Sequence, residues 1–122
     1  MTRLTARTLH SFVALSFSLI LLFVALTGAL AVYSLEIDWL VRPAMRVSPE
    51  AEGKRTLGDS LDAARAAEPD WWPVAIQRYP GARFADQLTL VAPDGATRLV
   101  WVDPYSATVQ GTGSPNTVRT VL

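Results

Sequence analysis

The chain has no cysteine, which excludes a disulfide framework, a thiolate metal site and a cysteine nucleophile. Its single histidine is His10, so neither a Ser/His/Asp triad nor a multi-histidine metal site can be built in the part that follows. Lys54 is the only lysine, and 11 basic residues balance 11 acidic ones. That leaves no basic patch of the kind nucleic acid requires, so nucleic acid is not an expected partner. Charge is also missing locally. Between Arg7 and Glu36 no side chain is charged.

What fills that gap is apolar. Ser11 to Leu35 reads SFVALSFSLILLFVALTGALAVYSL, roughly 25 residues, which as a helix spans about 37 Å and crosses a bilayer with some tilt. Ser11, Ser16, Ser18 and Thr27 can bond back to carbonyls one turn earlier, whereas a charge at mid-depth would cost about 2.5 to 3.5 kcal/mol. A buried helix of a water-soluble core is the plain alternative. A cleaved secretory signal is the closer rival: Arg3 and Arg7 form a positive leading region, and Ala29-Leu30-Ala31 has the small-x-small look of a cleavage site. The run is nearly twice the roughly 7 to 15 residues of a signal core and continues through that site into Val32, Tyr33 and Leu35, which favours an uncleaved anchor in a lipid bilayer. Arg3 and Arg7 flank the amino end while Glu36 and Asp38 come first on the far side, so residues 1–10 are expected in the cytoplasm and the rest outside it.

Removing residues 1–35 from the 122 leaves 87, enough for one small domain. From Glu36 onward all 11 acids but only nine of the 11 bases remain, a net of minus two and an ordinary solvated surface. Residues 36–55 read as an interfacial segment and linker. Within them Glu36 to Val47 mixes apolar and charged residues, with Tyr33 and Trp39 at the outer interface and Arg42 and Arg46 placed to meet lipid phosphates; a plain helix extension ended by Pro43 is the alternative. Ser48 to Arg55 carries Pro49 and Gly53 and reads as loop.

Thr56 to Glu68 has the pattern of a soluble helix: Thr56 and Asp59 form a capping box, Leu57, Leu61 and Ala64 share a face, and Pro69 supplies the stop. Its buried face is small, so it is expected close against a sheet. Pro73 to Tyr79, Gln87 to Ala92 and Thr97 to Asp103 have strand character, with Pro80-Gly81 and Pro93-Asp94-Gly95 as turns and a short fourth segment at Thr108 to Gln110. Alternation sets Leu88 and Leu90 on one face, and Leu99 with Trp101 on one face of the third strand. The fold class is therefore α+β, one amino-terminal transmembrane helix followed by one helix on a three- or four-stranded antiparallel sheet. Residues 112–122 are a tail.

Three groups of residues carry a family resemblance: Leu9-His10 behind basic residues, Ala25-Leu26-Thr27-Gly28-Ala29-Leu30 followed by Glu36-Ile37-Asp38, and the module from Thr56 to Gly111. In that module Leu61-Asp62-Ala63-Ala64-Arg65-Ala66-Ala67 and Val102-Asp103-Pro104-Tyr105-Ser106-Ala107-Thr108-Val109-Gln110-Gly111 stand out. Together they resemble the amino-terminal unit of the PepSY-associated transmembrane family, bacterial inner-membrane proteins described as iron-regulated or siderophore-reductase-like. The resemblance implies residence in the inner membrane with residues 56–111 as a periplasmic PepSY-like domain. Where the family has Thr-Gly this chain has Ser106-Ala107, which puts the turn type in question because alanine tolerates positive φ poorly. Family members continue into further membrane helices through a second Leu-His pair; a fragment, a truncated gene and a single-span variant are the three readings of a chain ending at Leu122.

In siderophore-reductase-like relatives, histidines on membrane helices bind haem, so the resemblance implies His10 as a haem axial ligand; an interfacial histidine facing headgroups is the plain alternative. A bis-histidine site would need a second imidazole from another copy or from further sequence, and small residues such as Gly28 and Ala31 would permit such self-association. Asp103 reads as a turn-initiating residue, and Trp71 and Trp72 as either a contact surface or packing. Asp59, Asp62, Glu68 and Asp70 read as the polar side and ends of one helix. Three function classes follow: a membrane-anchored module in an assembly handling iron or siderophores, one piece of a haem-containing transmembrane reductase, and a binding or inhibitory module acting on a peptidase, since PepSY-like domains also occur in protease propeptides.

Overall fold

The computed structural model describes residues 2–116; the end of the tail expected over 112–122 lies outside them. The chain divides into two compact units, one running through Ser34 and one beginning at Leu35.

The first unit is helix α1, Thr2–Val32. Its stretch Thr5–Val32 has a mean hydropathy of 2.4, none of it buried, and its 28 residues reach about 42 Å. The helix starts ahead of Ser11, carrying His10 within it, and gives way to a turn at Tyr33, whose N still donates to Ala29 O at 3.0 Å. The hydroxyls are absorbed as their positions require: Ser16 Oγ donates to Phe12 O at 3.0 Å, Ser18 Oγ to Ala14 O at 2.8 Å and Thr27 Oγ1 to Phe23 O at 3.0 Å. No polar side chain in the middle of the span is left to lipid without a bond.

Helix α2 (Ser34–Val41), in the second unit from Leu35 onward, gives way at Pro43 to a 3₁₀ turn, Pro43–Met45. Arg42 is extended (φ −116°, ψ 97°), as a residue before proline must be. Helix α3, Leu57–Ala67, starts in a complete capping box: Asp59 N donates to Thr56 Oγ1 at 3.2 Å, and Thr56 N to Asp59 Oδ2 at 3.1 Å. Strands β1 (Trp72–Gln77), β2 (Asp86–Val91), β3 (Thr97–Asp103) and β4 (Thr108–Gly113) form one antiparallel sheet in the order β1-β2-β3-β4.

Both faces of that sheet are covered. Leu88 and Leu90 of β2 with Val100 and Val102 of β3 pack against Ala64 of α3, flanked by Leu61, Ile76 and Val109. On the opposite face Leu99 and Trp101 pack with Met45, Val47, Tyr79 and Tyr105, against Leu35 and Trp39 of α2. The stretch 36–47, expected as an interfacial segment, therefore supplies one cover of the sheet. The face of α3 keeps Leu61 and Ala64 as expected but not Leu57, which is 41% exposed, and adds Ser60, which like Ala64 is fully buried. Small side chains win there because they let the helix backbone lie close across all four strands.

The closing turn keeps the conformation that Ala107 was expected to resist. Asp103 Oδ1 accepts from Tyr105 N at 2.8 Å and Asp103 O from Ala107 N at 2.8 Å, and these bonds hold Ala107 at φ 55°. An alanine there carries strain of about 1 to 2 kcal/mol that glycine would not. Ala107→Gly is therefore expected to raise the stability of the folded unit by about 0.5 to 1 kcal/mol, the strain relieved outweighing the extra unfolded-state entropy; a lower thermal midpoint for the variant would show that the turn is unstrained.

Candidate functional site

Each β2 side chain facing α3 should be apolar by alternation, yet the first of them is Asp86, followed inward by Leu88 and Leu90. Asp86 is 0% exposed. A buried carboxylate survives only with partners, and two residues supply three hydrogen bonds to it. Arg78 donates in fork geometry, Nε to Oδ1 at 2.8 Å and Nη2 to Oδ2 at 2.6 Å, while Ser60 Oγ donates to Oδ2 at 2.7 Å. This bond to Asp86 raises the pKa of the Arg78 guanidinium above its ordinary value. Close by, Lys54 Nζ donates to Gly81 O at 2.6 Å; burial lowers its pKa, partly offset by the Asp86 charge. The constellation ties α3, the β1–β2 connection and β2 together. An enclosed carboxylate with both oxygens committed fixes packing.

A second cluster holds α2 to the other face. Asp38, 3% exposed, faces Arg42 at 3.5 Å, and the Arg42 guanidinium lies 5.5 Å from the Trp101 ring centroid while its Nη2 donates to Asn116 O. Arg46 closes the end of α2 by donating from Nε to Trp39 O at 2.9 Å and from Nη2 to Leu40 O, with its guanidinium 5.3 Å over the Trp39 ring. Trp39 Nε1 in turn donates to Arg83 O at 2.9 Å. Arg42 and Arg46, expected at lipid phosphates, are thus engaged inside the folded unit.

The residues singled out from sequence fall into separate places. His10 is exposed on α1. Asp103 serves its turn. Trp71 packs beneath Arg98, whose guanidinium is 4.4 Å from the ring and pairs with Glu68 at 2.8 Å, whereas Trp72 is 72% exposed. Among the described residues no group of three or more histidine, cysteine, aspartate or glutamate side chains is placed to hold a metal ion. Sequence reasoning missed Asp86, Arg78 and Ser60. The available signal was an acid in the inward phase of an otherwise apolar strand.

A family model described as the PepSY-associated TM region matches residues 7–122, taking in the apolar helix and the folded unit together. The chain belongs to that family. Neither a curated protein nor a solved structure matches it. As a PepSY-associated protein it is anchored in a lipid bilayer by α1 and carries a small α+β domain beyond that helix.

Arg78→Met would leave the Asp86 carboxylate buried without its cation and is expected to cost about 3 to 5 kcal/mol; adding Asp86→Leu should recover most of that loss. Chemical denaturation of both variants, followed by near-ultraviolet circular dichroism, checks this, and a single variant as stable as the parent would show that the pair does not hold the fold.

Proposed function

We propose that this PepSY-associated chain sits in a bacterial inner membrane with its amino terminus cytoplasmic and its α+β domain periplasmic, serving as a non-catalytic component of an assembly that handles iron or siderophores. One observation carries the reading: a single family match runs from Arg7 through the span and the whole domain, so anchor and domain form one unit of function. The charges support the orientation, since Arg7 precedes the uncharged run while Glu36 and Asp38 follow it. The domain's buried ionic groups support a scaffold role, because Asp86 and Arg78 are spent on each other. A chromosomal deletion complemented by the chain carrying alkaline phosphatase after Gly113 tests both halves of the reading. Active phosphatase and restored growth on siderophore-bound iron are expected; an inactive fusion would sink the topology, and a deletion that grows on that iron like its parent would sink the iron role.

His10 favours a second reading, in which the chain is one piece of a haem-containing reductase. The imidazole is exposed on a helix that spans the bilayer, where it suits one axial position of a haem that would supply one-electron transfer when bound. One chain offers one imidazole, so a six-coordinate bis-histidine site requires a ligand from elsewhere. The chain purified as a monomer in detergent is expected to show little or no low-spin haem absorption. Stoichiometric haem that disappears in His10→Ala would put the reductase reading ahead, while haem that survives the substitution would remove His10 from the ligand set.

A further inference from the structure

Between α3 and the edge strand β1 run two adjoining hollows of about 220 and 270 Å³, which share Arg65 and Pro73 in their walls. One side of the junction is lined by Leu61, Val74 and Ile76, and the other by the indole of Trp72. The walls are apolar and open: Val74 is 62% and Trp72 72% exposed. Val74 is also the extra residue where the β1–β2 register shifts between Pro73 and Ala75, a bulge of the kind that re-aims a side chain out of an edge. Pro73 removes a backbone donor from that edge, so a partner is held there through side chains.

Arg65 stands at the junction. Arg42, Arg46, Arg78 and Arg98 each hold a partner, whereas the exposed side chain of Arg65, like those of Arg55 and Arg83, has no hydrogen bond or ion pair among the described residues. A lone cation between two apolar hollows complements a carboxylate with an apolar group on either side. In an extended peptide, side chains at i−2, i and i+2 project from one face about 6.8 Å apart. We propose that the α3–β1 groove docks an extended protein segment of the pattern apolar-x-acidic-x-apolar, its carboxylate on Arg65 and its apolar side chains in the two hollows. Charge distribution disfavours the bilayer surface as the occupant, because Asp62 and Asp70, exposed on the same stretch of chain, repel an anionic surface. The proposal goes beyond the iron reading and is independent of it.

The test uses the full chain in nanodiscs, one copy per disc, and fluorescein-labelled acetyl-Leu-Ser-Glu-Ser-Leu-amide as probe, read by polarisation. Saturable binding is expected, weakened about tenfold by a glutamine in place of the probe's glutamate and equally by Arg65→Gln, as the loss of one charge-assisted bond implies. Arg65→Glu should instead prefer the probe with lysine at its centre, and Trp72→Ala should weaken both forms. Absence of saturable binding would overturn the proposal, as would equal affinity for the glutamate and glutamine probes. Quenching of Trp72 by brominated lipid would assign the groove to the bilayer, and cross-linking through position 74 into dimers in discs loaded with two copies would assign it to a second copy of the chain.

Discussion

Four successive residues of β3, Leu99, Val100, Trp101 and Val102, are all buried. Because side chains alternate across a strand, the sheet has no face that can be left wet at its centre, and each face must find its own cover. Helix α3 covers Val100 and Val102; α2 and the 3₁₀ turn cover Leu99 and Trp101. At about 25 cal/mol per Å² of apolar surface removed from water, neither cover is dispensable for a domain this small. The division of the second unit into three layers follows from that one strand.

The two covers are fastened by the same device. On one face Asp86 is held by Arg78 and reached by Ser60 of α3; on the other Asp38 of α2 is faced by Arg42, which also lies over Trp101. Each buried acid is matched to a guanidinium that stays partly in solvent, with side-chain exposures of 26% for Arg78 and 23% for Arg42. That arrangement lowers the desolvation cost that makes fully buried ion pairs unprofitable, and the planar fork gives orientation that a lysine would not. Preference for arginine over lysine in this chain thus has a structural use at several positions. Arg46 adds another by closing α2, and Arg98 by lying on Trp71 while holding Glu68.

Local signals in the sequence were legible wherever local physics decides the outcome. The uncharged run specifies α1, the Thr56–Asp59 box starts α3, and Gly95 with φ 86° closes the β2–β3 hairpin where Asp94 Oδ1 accepts from Ala96 N at 2.9 Å. What was illegible depends on contacts distant in sequence. Nothing between Glu36 and Val47 reveals that Trp39 will meet the carbonyl of Arg83, or that Ala85 N will donate to Met45 O at 2.9 Å, so its mixture of charges and apolar residues resembled a stretch resting at the bilayer. On α3 the small face with Leu61 and Ala64 was legible, and only its edge was misplaced. Hydrophobicity points to Leu57, but close approach to four strands selects Ser60 beside Ala64.

Two glycines show how tightly the 3₁₀ cover is fitted. A methyl group at Gly111 would stand 2.9 Å from Ala44 Cβ, and one at Gly113 would stand 2.9 Å from the Trp101 ring. Side chains at either position would push β4 or the cover outward, so the strand edge carries no side chain where the indole needs room. Trp101 makes that fit costly in another way: its Nε1 is buried with no hydrogen-bond partner among the described residues, a loss of about 1 to 3 kcal/mol. Burying the ring returns an amount of the same order, about 3 kcal/mol for a large apolar side chain, and the stacked Arg42 guanidinium adds to it. Position 101 is therefore chosen for the volume and π-face of its side chain rather than for its donor, and the cover to which α2 contributes keeps that indole dry together with Leu99, Tyr79 and Tyr105.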